Sequence, residues 1–403
     1  MSAKVVIIGS GAREHALARA LKGPDRELVA IPGNPGIARE ARCVPARDLA
    51  DAALAESPDL VVVGPEAPLA EGFADRMKAQ GVPCFGPSRA AAQIEASKAF
   101  AKDVMRAAGV PTAEAAVFDD PAAARRHVSG ACVIKLDGLA AGKGVIVADD
   151  AAQARAAIDE LYKPGLRLLI EERLEGPELS VIALCDGEHL SLLPAARDHK
   201  RLKDGDQGPN TGGMGAICSP ADVTDALLQQ VLREALEPTA RELARRGAPF
   251  VGALYAGMML TPRGPRVLEF NCRLGDPEAQ AILLRLRSDP LPLFLAAAQG
   301  KLAGQRPVWD SRTAVAVVLA AHGYPAAPRA LDEIRIDAEE AEDLWVLHAG
   351  TRLHDGKLVT SGGRVLTVAA LGAGPAQARA RAYGAAARIA FPGMQLRTDI
   401  GAA

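Results

Sequence analysis

The run Val5-Val6-Ile7-Ile8 ends in Gly9-Ser10-Gly11, and a helical pattern follows over Arg13–Leu21. A buried strand that turns through glycine into a helix is the opening of a crossover unit, whose next strand lies parallel to the first. The following segments keep that rhythm. Leu28–Ile31, Leu60–Val63 and Val82–Phe85 read as strands, with Gly and Pro at the strand ends in Pro32-Gly33, Gly64-Pro65 and Gly86-Pro87. The first hundred residues are therefore expected to form a parallel sheet with crossover helices.

From Ser88 the texture changes. The pattern predicts a helix over Ala90–Ala108, stopped by Gly109 with Pro111 beyond it. Thr112–Glu178 then reads as a small α+β unit. Its strands are Cys132–Lys135, Val145–Ala148 and Leu168–Glu171, and its helices Pro121–Val128 and Ala151–Leu161. A third region runs to about Gly304, with strands near Val251–Leu260 and Arg266–Asn271. The tail from Arg312 has strands Ala314–Ala320 and Val365–Ala370 and a last helix over Ala376–Ile389. A chain of 403 residues is too long for one ordinary core, so several domains are expected.

The net charge of −2 gives no electrostatic reason to expect nucleic acid or an acidic membrane as partner. No apolar run has the length of a membrane span, and no signal-peptide pattern precedes the first strand, so a cytoplasmic protein is expected. The six cysteines are scattered, without a C-x-x-C pair or a histidine at metal-ligand spacing, and read as reduced thiols. The seven histidines form no nucleophile or metal constellation, and no G-x-S-x-G elbow appears.

Gly9-Ser10-Gly11 opens a helix, where backbone N–H groups favour an anion. A nicotinamide-binding loop is disfavoured. Glu14 stands where the third glycine of G-x-G-x-x-G belongs, and the second strand ends Ala30-Ile31-Pro32-Gly33 without the ribose-binding acid. A phosphate site or a purely structural turn remains.

A second glycine loop joins two expected strands: Lys135-Leu136-Asp137-Gly138-Leu139-Ala140-Ala141-Gly142-Lys143-Gly144-Val145. It has neither the Walker A spacing nor a following helix. A hairpin with glycines and lysines can cover a triphosphate, and lysine charges suit phosphate oxygens; an exposed hairpin with solvated lysines is the plainer alternative. Farther on, Val267–Asn271 reads as a strand whose period of two puts Glu269, Asn271 and Arg273 on one face. A carboxylate and an amide oxygen two residues apart suit Mg2+, and a neighbouring arginine can stabilise a transferring phosphoryl group; an ordinary half-exposed polar face is the alternative.

Taken together these runs resemble the ATP-grasp superfamily and, within it, the glycinamide ribonucleotide synthetases (phosphoribosylamine–glycine ligases). The resemblance covers nearly the whole chain. It is carried by Gly9–Ala16, Pro32–Gly36, Gly64–Leu69, Ser97–Phe100, Asp137–Gly144, Asp198–Arg201, Pro209–Gly215 and Glu269–Glu278. It implies an α/β and α+β multidomain chain: an N-terminal parallel-sheet (pre-ATP-grasp) domain over 1–97, an ATP-grasp domain over 98–305 with a mobile lid at about 112–178, and a C-terminal α+β domain over 306–403.

The resemblance also implies roles. Lys98 and Lys135 would bind ATP phosphates, with Gly138, Gly142, Lys143 and Gly144 closing over them. Glu171, Glu172 and Leu174 would lie beside adenine, and Glu178 would take the ribose hydroxyls. Glu269 and Asn271 would hold Mg2+ or Mn2+. Gly9, Gly11, Arg13, Glu14, Asn34, Gly36 and Glu66 would meet phosphoribosylamine. Asp198, Lys200, Asn210, Thr211, Gly212, Gly213, Arg273, Gly275 and Asp276 would line the pocket for glycine and its acyl phosphate. Arg273, Lys143 and Asp198 would be catalytic. The implied reaction joins glycine to 5-phosphoribosylamine and converts ATP to ADP and phosphate, in a chain expected to act as a monomer. Three departures stand out: Ala196-Arg197 where relatives carry Ser-Gln, the short segment Tyr162-Lys163-Pro164-Gly165, and a C-terminus that stops soon after Asp399-Ile400-Gly401.

Overall fold

The computed structural model describes residues 2–139 and 144–402. Five strands open the chain: β1 (Ala3–Gly9), β2 (Arg26–Pro32), β3 (Arg42–Cys43), β4 (Leu60–Val63) and β5 (Cys84–Phe85). They form one parallel sheet in the order β3-β2-β1-β4-β5, as the crossover rhythm predicts. Val5–Ile8 are inaccessible to solvent, so the apolar run is a strand buried on both faces. Helices α1 (Ala12–Leu21), α2 (Leu49–Ala55), α3 (Glu66–Ala70) and α4 (Phe73–Ala79) follow the strands. Gly9 leaves β1 with φ +126°, a conformation that side-chain-bearing residues rarely adopt.

The single helix expected over Ala90–Ala108 is two: α5 (Arg89–Ala96) and α6 (Lys98–Ala108). Both halves have helical patterns, but Ser97 between them is extended, with φ −134° and ψ 114°. Its hydroxyl oxygen accepts the Phe100 N–H at 3.1 Å as the N-cap of α6, and the same hydroxyl lies 3.1 Å from the Asp137 carboxylate, to which it donates. Capping competes with helix continuation, and here it wins because Asp137, 7% exposed, needs donors.

The next unit is an antiparallel sheet of β6 (Ala115–Phe118), β7 (Cys132–Leu136), β8 (Val145–Ala148) and β9 (Leu168–Glu172), ordered β6-β9-β7-β8. Helices α7 (Pro121–His127) and α8 (Ala151–Leu161) cover it through Ala124, Ala154 and Ile158, against Ile134 and Ile170. Its β7–β8 hairpin carries the second glycine loop; Ala140, Ala141, Gly142 and Lys143 lie outside the described residues.

The rest of the chain builds a larger sheet. Its strands are β10 (Glu178–Asp186), β11 (Leu190–Leu192), β12 (Ala196–Asp198), then β15 (Gly215–Cys218), after the small hairpin of β13 (Arg201–Lys203) and β14 (Gln207–Asn210). After α9 (Asp225–Val231) and α10 (Glu237–Arg245) come β16 (Val251–Thr261) and β17 (Gly264–Asn271). Beyond α11 (Glu278–Leu284) and α12 (Pro290–Ala298) stand β18 (Thr313–Ala320), the short β19 (Arg335–Ile336), β20 (Leu344–His348), the hairpin β21 (Thr351–His354) with β22 (Lys357–Thr360), and β23 (Arg364–Gly372), before helix α13 (Pro375–Ala386). The order is β17-β16-β10-β12-β15-β18-β23-β20, with β11 on β10. The C-terminal strands thus continue the sheet of the central region, through the pairing of Gly215–Cys218 with Ala314–Val317. At Gly215 a Cβ would lie 2.6 Å from the Ala316 carbonyl oxygen, so glycine permits the close approach there. No helix among the described residues is long and apolar enough to cross a membrane.

Ser97→Ala removes the cap of α6 and one donor to Asp137. It is expected to lower stability by about 1–2 kcal/mol, read as a lower urea midpoint with an unchanged slope.

Candidate functional site

Strand β17 places Glu269 and Asn271 on one face, opposite Gly257 and Tyr255 of β16. Burial pushes the Glu269 carboxyl up, but Lys200, Lys135, Lys98 and Arg273 together hold it below its usual range. Lys200 Nζ lies 2.9 Å from Glu178 Oε2 and 3.8 Å from Glu269 Oε1. Burial works against its charge, yet Glu178 and Glu269 keep its pKa well above the ordinary lysine value. Lys98, at the first position of α6, donates to the Gly138 carbonyl at 2.8 Å; burial lowers its pKa, and Glu269 opposes that. Lys135 donates to the Leu268 carbonyl at 3.1 Å and pairs with Glu171 at 3.0 Å. Lys98, Lys135, Lys200, Glu269 and Arg273, far apart in the sequence, are therefore brought together. Among the described residues no cluster of three His, Cys, Asp or Glu forms a metal cage. Glu269 and Asn271 supply two oxygen donors, which suits a hard cation that takes its other ligands from phosphate and water.

Arg273 leaves this strand and turns toward the N-terminal sheet. Its Nη2 donates to Glu95 Oε1 of α5 at 2.9 Å, and its Nε to Glu66 Oε2 at the start of α3 at 3.3 Å. Nη2 also reaches Asn271 Oδ1 at 3.4 Å. Glu95 accepts the Cys272 N–H at 2.7 Å as well. Burial raises the pKa of Glu95, with Arg273 opposing; burial also acts on Glu66, but Arg273 holds that carboxyl below its usual value. The sequence reading missed Glu95, which sits unremarkably in an alanine-rich helix.

A second group surrounds the first glycine loop. The Glu14 side chain folds back under it, accepts the Gly11 N–H and takes the Arg13 guanidinium at 2.7 Å. A Cβ at Gly9 would stand 2.6 Å from Glu14 Cγ, and one at Gly64 1.9 Å from Glu14 Oε1. The glycines thus make room for a buried carboxylate of the chain itself. Arg13 also donates to the Leu274 carbonyl at 3.1 Å. Asn34 uses both amide hydrogens, toward Ser10 and His348 carbonyls at 2.8 and 2.9 Å, and its oxygen accepts the Gly36 and Ile37 N–H groups. Gly36 is packed between the imidazoles of His15 and His348. These two residues shape the pocket from within the protein. Asp276 receives Gln280 at 2.7 Å and pairs with Arg364 of β23 at 3.1 Å. Arg364 also donates to the carbonyls of Asp276 and Gly212, so the C-terminal strands contribute a cation that the sequence reading did not find.

Between the two groups lies a carboxylate pair. Asp198 Oδ1 is buried and takes no hydrogen bond. Burial, then Glu278, push its carboxyl well above the usual range. Glu278, 2% exposed, accepts Ser180 Oγ at 2.9 Å, and Ser180 lies 2.8 Å from the Tyr255 hydroxyl. Gly213 has φ +111°, and a Cβ there would stand 2.7 Å from Asp198 Oδ1; at Gly275 it would stand 2.4 Å from Glu278 Oε2. Thr211 fixes this turn by donating to the Lys200 carbonyl through both N–H and hydroxyl at 2.8 Å, and Asn210 closes β14 beside it. Leu174 is buried near the β9 end, while Glu172 points outward to Arg263 at 2.6 Å. Arg197, one of the departures noted above, pairs with Asp222 on the surface and donates to the Glu178 carbonyl at 3.0 Å.

His15 Nδ1 accepts the His348 N–H at 2.8 Å, joining α1 to β20. Burial, with Arg39, pulls the His348 pKa down to about 4. Burial lowers that of His15 as well, with His348, Arg19 and Arg39 adding to it. Unfolded histidines titrate near about 6.5, so between about 6.5 and about 4 the unfolded chain binds more protons. The His348 contribution to stability is expected to be lost as pH drops through that window, by up to about 3 kcal/mol. Urea unfolding of the wild type and His348→Asn at pH 7 and pH 5 checks this: the wild type should lose more stability between the two.

Family models match this arrangement in three successive pieces: the phosphoribosylglycinamide synthetase N domain over residues 3–95, its ATP-grasp (A) domain over 96–279 and its C domain over 314–403. A phosphoribosylamine–glycine ligase of Caulobacter vibrioides is 51% identical, over 98% of this chain and 97% of its own. One of Streptomyces coelicolor is 50% identical over 99% of both chains. The crystal structure of a phosphoribosylamine–glycine ligase from Thermotoga maritima matches with a TM-score of 0.86 at 35% identity, over 98% of this chain and 99% of that one. The biotin carboxylase domain of Hydrogenobacter thermophilus 2-oxoglutarate carboxylase, in complex with MgADP, ADP and bicarbonate, matches with a TM-score of 0.74 at 18% identity, over 98% and 92%. That likeness is one of fold.

Proposed function

The chain belongs to the phosphoribosylglycinamide synthetase family, and on that premise we infer that it joins glycine to 5-phosphoribosylamine in purine biosynthesis. It is an ATP-dependent carbon–nitrogen ligase, with ATP and a divalent metal as the needs of its ATP-grasp fold. The observation that carries the chemistry is the ring of Lys98, Lys135, Lys200 and Arg273 around Glu269.

A carboxylate is a poor electrophile, because its leaving group would be oxide. An oxygen of the glycine carboxylate attacks the γ-phosphorus of ATP, ADP leaves, and glycyl phosphate forms. The amine of phosphoribosylamine then attacks the carbonyl carbon, phosphate leaves, and the nitrogen gives up a proton. The first step brings two anions together. Lys98 and Lys135 offset that repulsion at the phosphates, and Lys200 and Arg273 at the acyl phosphate. Glu269 and Asn271 would hold Mg2+ or Mn2+, whose charge would neutralise phosphate oxygens. Water must be kept from the acyl phosphate, a task that suits a glycine-rich loop such as Gly138–Gly144, which includes Gly142 and Lys143. Adenine lies beside Glu171, Glu172 and Leu174, and the ribose beside Glu178.

Asp198 receives the glycine ammonium, which provides the donor that its buried oxygen lacks. The turn Asn210–Gly213 with Gly275 closes the small pocket. Phosphoribosylamine occupies the junction of Gly9, Gly11, Arg13, Glu14, Asn34, Gly36, Glu66 and Asp276. The divisions 1–97, 98–305 and 306–403 follow these tasks. The working unit of this reading is a monomer, and phosphorylated substrates that do not cross membranes unaided support a cytoplasmic setting.

Measuring ADP release while omitting glycine and phosphoribosylamine in turn tests the reading. Release that needs both supports it; release indifferent to phosphoribosylamine points to a different ATP-dependent ligase. Glu269→Gln is expected to abolish turnover at saturating Mg2+ with an unchanged circular dichroism spectrum; near-normal activity would remove the metal assignment. Asp198→Asn should raise the glycine KM by roughly tenfold or more while the ATP KM stays within about twofold. Equal rises in both would detach Asp198 from the amino acid.

A further inference from the structure

Lys102 lies one helical turn beyond Lys98 on α6 and is only 5% exposed. An ammonium this deep needs a full set of partners. It has three: Thr112 Oγ1 at 2.9 Å, the Ala113 carbonyl at 3.0 Å and Glu171 Oε2 at 3.1 Å. Lys135 reaches the same Oε2 at 3.0 Å, and its other partner is the Leu268 carbonyl at 3.1 Å. Two cations therefore converge on one oxygen of one carboxylate. The second oxygen, Glu171 Oε1, is buried without a hydrogen bond among the described residues, on a side chain that is 3% exposed.

The two lysines differ in what they have left to give. All three N–H bonds of Lys102 are engaged, two of them by groups of the backbone turn where the chain enters the four-stranded unit. Thr112 is itself fixed there, since its hydroxyl donates to the Val267 carbonyl of β17 at 2.6 Å. Among the described residues Lys135 has two partners, which leave one N–H for another acceptor. A single lysine would neutralise Glu171, but it could not then turn toward a phosphate without leaving a buried anion uncompensated.

We propose that Lys102 is a positioning residue: it holds Glu171 as a fixed, ionised acceptor, which frees Lys135 to turn to the triphosphate and keeps Glu171 Oε1 for an amino group of the nucleobase. The proposal rests on the reading of this site as the ATP site. An ionised carboxylate can only accept, so it favours a 6-amino purine over a 6-oxo purine. Without Lys102, Glu171 retains Lys135 against the phosphate.

The test compares Lys102→Met, Lys102→Gln and Lys102→Arg with the wild type, using ATP and ITP as alternative substrates. Removing the charge should raise the ATP KM by roughly tenfold, and the preference for ATP over ITP should fall by about fivefold, while the glycine KM stays within about twofold. Lys102→Arg, which restores the charge, should recover most of the base preference. An unchanged ATP KM and ATP-to-ITP ratio in the Gln and Met variants overturns the proposal. So does an equal rise in the glycine KM, which would mark a general structural defect. If the Met variant is not folded by circular dichroism, the contrast of Gln against Arg decides, because a base preference that does not follow the charge overturns the proposal. Calorimetric binding of ADP and IDP gives the same comparison without turnover. Failure of the wild type to release ADP with both co-substrates present would sink the ligase reading, while the calorimetric arm would still decide the role of Lys102.

Discussion

Arg273 sits where three parts of the chain meet. One guanidinium reaches Glu66 of the N-terminal unit, Glu95 of the connecting helix and Asn271 of the strand that carries Glu269. A buried guanidinium with two carboxylates is stable only if all three stay together, because the loss of any one leaves a charge without its counterpart. The N-terminal sheet is thereby held against β17, and the first glycine loop lies beside the turn Arg273–Asp276. Arg13 adds a second link at the Leu274 carbonyl. This ionic junction acts together with the two apolar clusters that the N-terminal sheet shares with the central region.

The rest of the site is built by buried charges of both signs. Lys98, Lys135, Lys200 and Arg273 are brought close with Glu269 at their centre, and burial works against the charged forms of Lys98 and Lys200. Carboxylates pair with three of the four: Glu178 with Lys200, Glu171 with Lys135, Glu66 and Glu95 with Arg273. A polyphosphate entering such a pocket meets preformed cations, so little reorganisation is left for the moment of reaction.

The sequence makes some of this legible and hides the rest. The N-terminal sheet can be read directly, because Val5–Ile8 and Leu60–Val63 are apolar runs bounded by glycine and proline. Period two puts Glu269 and Asn271 on one face of β17, whereas Arg273 falls beyond the end of the strand and turns away to Glu66 and Glu95. The break at Ser97 is hidden, since both flanking segments favour helix and the deciding partner, Asp137, is forty residues away. Strands such as β12 and β15 are too short for their periodicity to register, and the β15–β18 pairing joins residues about a hundred positions apart. Lys102, Glu95, Arg364 and His348 share a different cause. Each is a lone charged or polar residue in an ordinary helix or strand, and only burial beside a partner from another element distinguishes it. Lys102 does leave a faint trace: it falls on the same helical face as Lys98, amid the buried Ala99, Ala101 and Met105.

The ladder that passes from β10 through β12 and β15 into β18 and β23 has a mechanical consequence. A hydrogen-bonded sheet resists bending about an axis between paired strands, because each rung must stretch together. The central and C-terminal regions are thereby continuous in one sheet, which carries Asp198 on β12 and Arg364 on β23. The four-stranded unit meets that sheet through the isolated backbone bridge of Thr112 to Val267 and through side chains: Lys135 donates to the Leu268 carbonyl, and Arg263 pairs with Glu172. Turning the unit against the sheet would therefore break ion pairs and side-chain hydrogen bonds rather than a ladder of backbone rungs.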